Sequence, residues 1–240
     1  MKAILQRAAF AAAIVGILAA GSAAFSADPK GAEPAMKAEA VPSAKASAAA
    51  PAGDMKKEGS NNDFTIDPVH SSIIFRVKHL DTTFVYGRFN NATGSVVWND
   101  KHPDKSSIDV TVKVADVDTN SEKRDTHLKS ADFFDAAKYP TITFKSKSIK
   151  ELSEDKKSDK DKKKKKQKYE VTGDLTIKDV TKTITVEFEK TGEGDDPWGG
   201  HRIGGEADFE INKTEYNVKG IPGVGDKVDM TIALEASQKK

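Results

Sequence analysis

Apolar side chains recur at every second position in run after run of this chain. Ile73, Phe75 and Val77 form one row, and Ile108, Val110, Val112 and Val114 another. Tyr169, Val171, Leu175 and Ile177 are spaced around Gly173; Ile184, Val186 and Phe188 follow, then Ile203, Ala207, Phe209 and Ile211. Val228, Met230, Ile232 and Leu234 close the series, with polar Lys227, Asp229 and Thr231 interleaved. In a strand, successive side chains point to opposite faces, so each run has one dry face and one wet face.

About eight such runs with few helical signals predict an all-β fold, an antiparallel barrel of about eight strands with one short helix. A parallel α/β sheet is excluded because the crossover helices it needs are missing. Residues 122–130 read as the helix, with Ser121 or Asn120 as its cap. Residues 82–97 read as one long strand, bending at Gly87 and Gly94. The dry faces are expected to point inward. A barrel facing lipid would carry aromatic girdles, whereas aromatics are only 7% of this chain and the sequence ends in Gln238, Lys239 and Lys240.

With no cysteine in 240 residues, disulfides, thiolate nucleophiles and Cys-based zinc sites are excluded. Lys+Arg (38) and Asp+Glu (37) nearly cancel, which argues against a polycation built for nucleic acid. Residues 1–27 combine Lys2 and Arg7, an apolar run over 8–20 and a small-residue exit. This is the pattern of a secretory signal, and its apolar run is shorter than the roughly 20 residues of a spanning helix. Ala24 or Ser26 is expected to precede the cut, placing the mature protein in the periplasm. Residues 28–61 are rich in Ala, Pro, Lys, Ser and Gly without an aromatic residue, and read as a flexible linker. The folded domain is assigned to 62–238. Within it, residues 150–168 hold ten lysines against five acidic residues and read as a solvated loop insertion; contact with an anionic membrane is the second reading.

Several ordered motifs resemble the YceI-like family. The opening stretch is Phe64-Thr-Ile-Asp67-Pro-Val-His70-Ser71-Ser-Ile-Ile-Phe75-Arg-Val77-Lys-His79-Leu80, followed by Val85-Tyr-Gly87-Arg-Phe89. The richest match runs from Val117-Asp-Thr119 through Arg124-Asp125-Thr-His127-Leu128 and Asp132-Phe133-Phe134-Asp135 into Tyr139-Pro140-Thr-Ile142-Thr-Phe144. Gly173-Asp-Leu175-Thr176-Ile177 and Val180-Thr181 complete it, so that the likeness covers residues 64–236. The resemblance implies a lipocalin-like barrel, a periplasmic setting and binding of polyisoprenoid or similar lipids, without cofactor chemistry. The chain departs from the family pattern at 150–168. It departs again at Asn212-Lys213-Thr-Glu215-Tyr216, where the family more often has an Arg, an Asp and an aromatic followed by Gly.

The residues support the same expectation on their own. An eight-stranded barrel is just wide enough to be filled by side chains or to hold one small ligand. The expected lining is Phe75, Val77, Phe89, Val110, Val112, Phe144, Leu175, Ile177, Phe209 and Ile232, with Phe133, Phe134 and Tyr139 near the mouth. Arg124, Asp125 and His127 invite a catalytic reading, since Asp–His pairs orient general bases. No Ser or Cys nucleophile stands in a recognisable elbow, however, and a helix would put Asp125 and His127 on different faces. A structural role is expected, with Arg124 pairing to Asp132 or Asp135. None of the five His residues has a metal-ligand spacing; His70 and His79, nine apart, would fall on opposite faces of an uninterrupted strand. Gly220-Ile-Pro-Gly223-Val-Gly225 precedes a strand rather than a helix and reads as a turn.

The chain is therefore expected to be a non-enzymatic carrier of a long apolar lipid, isoprenoid or quinone-like, with no metal and no cofactor. It is expected to bind no nucleic acid and to be a monomer or homodimer. Two alternatives stand beside this: an enzyme acting on such a lipid, and a surface-interaction protein docking through 150–168.

Overall fold

The computed structural model describes residues 62–152 and 167–238. The signal and linker segments and the centre of the Lys-rich insertion lie outside the described residues.

Eleven strands and one helix make up the domain: β1 (Asp63–Ile66), β2 (Ser72–His79), β3 (Thr83–Phe89), β4 (Thr93–Val97), β5 (Ser107–Lys113), β6 (Val117–Asp118), α1 (Glu122–Lys129), β7 (Thr141–Glu151), β8 (Gln167–Ile177), β9 (Val180–Asp195), β10 (His201–Asn212) and β11 (Val224–Gln238). All pairings are antiparallel. The sheet runs β1-β4-β5-β7-β8-β9-β10-β11, and β11 pairs back onto β1. Closure gives the eight-stranded antiparallel barrel and leaves no edge along this ring.

The other three strands extend staves of the same barrel. β1 and β2 lie end to end along β11, with Ile66 opposite Ala236 and Ile73 opposite Ile232. β4 pairs with β1 while β3 pairs with β2, and β5 pairs with β4 while β6 pairs with β3. Three neighbouring staves are therefore broken, at 67–71, 90–92 and 114–116. The break in the second stave corrects the expected bends at Gly87 and Gly94. The chain departs from the strand at 90–92, where Asn91 takes a left-handed conformation (φ 56°). Gly94 answers a different demand, because a β-carbon there would meet the Asp109 carbonyl oxygen.

The two ends of the barrel are built differently. At one end lie the connections 80–82, 119–140 and 213–223, and α1 is among them. At the other lie the starts of β1 and β8 and the ends of β7 and β11. Here Trp98, Tyr169 and Phe188 seal the barrel. The Trp98 ring stands edge-on to Tyr169 at 4.8 Å and tilted against Phe188 at 5.9 Å. The buried Lys190 ammonium lies 5.8 Å above Trp98 and bonds Asp100 (2.7 Å) and Glu193 (2.8 Å). Burial works against the Asp100 carboxylate, but hydrogen bonds from Lys190 and Trp98 outweigh it and hold its pKa below the ordinary value. Burial pushes the Tyr169 hydroxyl up to about 12.

Helix α1 begins after Ser121, as the capping pattern predicts, although the Ser121 side chain makes no cap hydrogen bond. Residues Thr119, Arg124 and Asp125 tie the helix down. Asp125 accepts from the Thr119 backbone N–H and hydroxyl, and Arg124 donates to the Thr119 hydroxyl and carbonyl. The expected pairing of Arg124 with Asp132 or Asp135 is thus replaced by bonds to Thr119. The guanidinium reaches back to the residues before the helix because Thr119 offers two oxygens there.

Candidate functional site

Inward-facing side chains at the sealed end are fully buried, as Ile149 and Tyr169 show. Midway along the barrel they are not. Phe75, Val77, Val110, Phe144, Ile184, Val186, Phe209 and Met230 all face inward yet remain partly accessible. Side chains surrounded by a closed sheet stay accessible only if the centre is hollow.

The hollow is one cavity of about 210 Å³. Cavities near 150 Å³ lined by Leu, Ile and Phe stay dry and take up apolar guests. Along β11 the lining extends from Val224 to Leu234. A bulge sets the four steps from Val224 to Val228 against only two of β2, so this stretch rises about as far as eight regular residues, roughly 26 Å, or about 20 Å along the axis of a tilted barrel. The cavity is long, narrow and apolar; among the described residues, Thr143 and Lys213 are the only polar ones in its wall.

All twelve residues expected to face a ligand line this cavity: Phe75, Val77, Phe89, Val110, Val112, Phe133, Phe134, Phe144, Leu175, Ile177, Phe209 and Ile232. Phe134 packs edge-on to Phe89 with ring centres 5.8 Å apart, so the loop after α1 is keyed to the wall of β3. Phe133 stands perpendicular to the His127 ring at 4.9 Å. Tyr139 stands near the mouth, as expected, without contributing to the wall. It lies beneath the ammonium groups of Lys138 (5.0 Å) and Lys178 (6.0 Å).

Sequence reasoning missed three kinds of lining residue. Ile73, Ile108 and Leu234 belong to the alternating rows and could have been included. Leu128 and Val218 come from α1 and a loop, where period two carries no information. Lys213 continues the inward row Ile203, Gly205, Ala207, Phe209, Ile211 by one further step, and its charge hid it.

The titratable clusters are otherwise engaged. Asp125 bonds Thr119, whereas His127 Nε2 lies 3.1 Å from Asp132. These two residues thus have separate partners and no shared geometry. Asp67, His70 and Glu235 place three potential metal-ligand atoms within 4.8 Å of one another. The positive charge there comes from Arg202, which donates to Asp67 (2.9 Å), Glu235 (2.5 Å) and Asp196 (2.9 Å). A hydrogen bond from His70, opposed by burial and aided by Arg202, holds the Asp67 pKa far below the usual carboxylate range. The cluster joins the broken first stave to β10 and β11.

Residues 64–236 match the family described as the YceI-like domain. The protein named YceI of Escherichia coli O17:K52:H18 is 39% identical over 181 residues, covering 74% of this chain and 88% of that protein. A UPF0312 protein of Photorhabdus laumondii, plu2095, is 37% identical over 182 residues, covering 75% and 88%. Among solved structures, the Campylobacter jejuni YceI protein superposes with a TM-score of 0.55 at 30% identity, covering 68% of this chain and 90% of that one. A polyisoprenoid binding domain from Saccharophagus degradans has the same fold, with a TM-score of 0.54 at 11% identity over 73% of this chain and 98% of its own.

Proposed function

The chain belongs to the YceI-like domain family, and from that premise we propose that it is a periplasmic binding protein that carries one long apolar lipid inside its barrel. The observation that carries this reading is the cavity, closed by aromatic packing at one end and walled by apolar side chains over most of its length. Such a space favours an extended hydrocarbon over a compact metabolite. Burying one five-carbon isoprene unit contributes on the order of 4 kcal/mol at about 0.8 kcal/mol per CH₂. A few units therefore suffice against the costs of association and ordering. An isoprenoid or quinone-like chain fits, and the polyisoprenoid binding named for the Saccharophagus domain agrees with it. The periplasmic setting rests on the export pattern of residues 1–27.

Native mass spectra of the protein purified without detergent provide the test. An increment matching a prenyl or other long-chain lipid is the expected result. Protein without an adduct that also takes up no added polyprenol would overturn the reading.

A further inference from the structure

The register of β10 and β11 sets Ile211 opposite Val228. Carried one inward step further, it brings Lys213 opposite Asp226, and the two side chains meet: Lys213 Nζ donates to Asp226 Oδ1 at 2.7 Å. An ion pair therefore stands at the α1 end of an apolar column of inward-facing residues.

The two charges are not equally placed. The Lys213 side chain is only 10% exposed and forms part of the cavity wall, whereas that of Asp226 is 60% exposed. A buried ammonium needs a counter-charge, and an exposed carboxylate can turn into water at little cost. The neighbouring Glu215 is held elsewhere, by Lys182 at 2.5 Å. Gly220 lies close against the ammonium, where a β-carbon would come within 2.8 Å of Lys213 Nζ. Among the described residues, Lys213 is the only charged one in the cavity wall.

We propose that Lys213 is a headgroup site, and that the lipid carried is an amphiphile with an anionic head which takes the place of Asp226 beside the Lys213 ammonium while its chain lies in the cavity. The exchange conserves charge, since one carboxylate leaves the ammonium as one acidic oxygen arrives. Carboxylate and phosphate heads share this chemistry, as both offer an anionic acceptor to a point donor. This inference rests on the lipid-binding reading and adds the class of lipid and its direction in the barrel.

The full chain is titrated with four C18 amphiphiles of equal chain: oleate, oleyl phosphate, oleyl alcohol and oleylamine. At least one of the two acids is expected to bind about tenfold or more tighter than the alcohol, and which one does so identifies the head; the amine is expected to bind weakest. In Lys213→Met the ratio of acid to alcohol affinity falls to about one, and in Lys213→Arg the preference persists. Asp226→Asn, at an exposed position, removes the competing carboxylate, so acid affinity rises severalfold. Equal binding of acids and alcohol by the wild type, a preference that survives Lys213→Met, or weaker acid binding in Asp226→Asn would overturn the headgroup site while leaving the carrier reading intact. Failure of all four to bind would overturn both.

Discussion

The Phe75 ring occupies the space that a β-carbon on Gly87 would need: such an atom would stand 2.3 Å from Phe75 Cζ and 2.7 Å from Thr119 Cγ2. The two residues are direct partners across β2 and β3. Phe144 lies in the same way over Gly173 (2.5 Å), and Phe188 over Gly205 (2.1 Å). Each bare glycine lets an aromatic from the adjacent strand recline against the wall instead of projecting into the centre. The hollow thus depends on glycine at inward positions as much as on apolar side chains.

Gly87→Ala is therefore expected to lift Phe75 off the wall and into the cavity. Uptake of a fluorescent long-chain lipid should weaken about tenfold, and overpacking should lower stability by about 1–3 kcal/mol. Binding titrations and urea denaturation check the two parts separately; lipid affinity equal to that of the wild type would show that the ring lies flat without the glycine.

Val110 is partly accessible from inside and pairs with Phe144 across β5 and β7. Val110→Trp fills the hollow without touching either end of the barrel. The expected outcome is loss of the lipid adduct in native mass spectra, with the circular dichroism of the barrel retained.

The Tyr169 hydroxyl is buried without a hydrogen-bond partner among the described residues. Removing a buried, unsatisfied polar group relieves a desolvation penalty, so Tyr169→Phe should match the wild type in stability or exceed it by about 1 kcal/mol. The raised pKa adds a sign. Wild-type stability falls as pH rises from about 10, the unfolded value, to about 12, the folded one. The variant should lack this contribution to the alkaline slope in urea midpoints measured across that range.

Asp67 has the opposite linkage. Its folded pKa is depressed by His70, against burial and with Arg202, so its stabilisation is present above the unfolded value near 4 and is lost as pH falls below it. Asp67→Asn should be less stable than the wild type at pH 7 and less sensitive to acid. The two urea-midpoint curves should begin to approach each other as pH falls below about 4; parallel curves would remove Asp67 from the acid response.

Helix α1 contains no buried residue, so its position rests heavily on the bonds of Asp125 and Arg124 to Thr119. Asp125→Ala should release it at a cost of about 1–3 kcal/mol. Hydrogen exchange over residues 122–129 should accelerate, and bound lipid should dissociate faster, because Leu128 and Phe134 cover this end of the cavity.

Much of the barrel could be read from period two, because each inward row is one face of one strand and a closed sheet has only one inside. The same logic put Phe75, Val110, Phe144, Phe209 and Ile232 in the cavity wall. It failed where the chain leaves the strand. Leu128 and Val218 reach the hollow from a helix and a loop, and the break at 90–92 carries no alternation to betray it. Arg124 was misassigned to Asp132 or Asp135 because complementary charge suggested a carboxylate, whereas the helix start offered two Thr119 oxygens closer at hand. Tyr139 stands near the mouth, as its aromatic neighbours suggest, but its ring lies under two lysines and outside the cavity wall.

β1 starts and β11 finishes side by side, with Phe64 opposite Gln238, and the Lys-rich connection leaves β7 at Glu151 and re-enters at Gln167 on that same aromatic-plugged floor. The described residues that flank the insertion, and the two described ends of the chain, therefore all lie at the foot of the vessel, away from Lys213 and α1. An attachment made at Gln238 would therefore begin at the pole opposite the one where Lys213 and α1 sit.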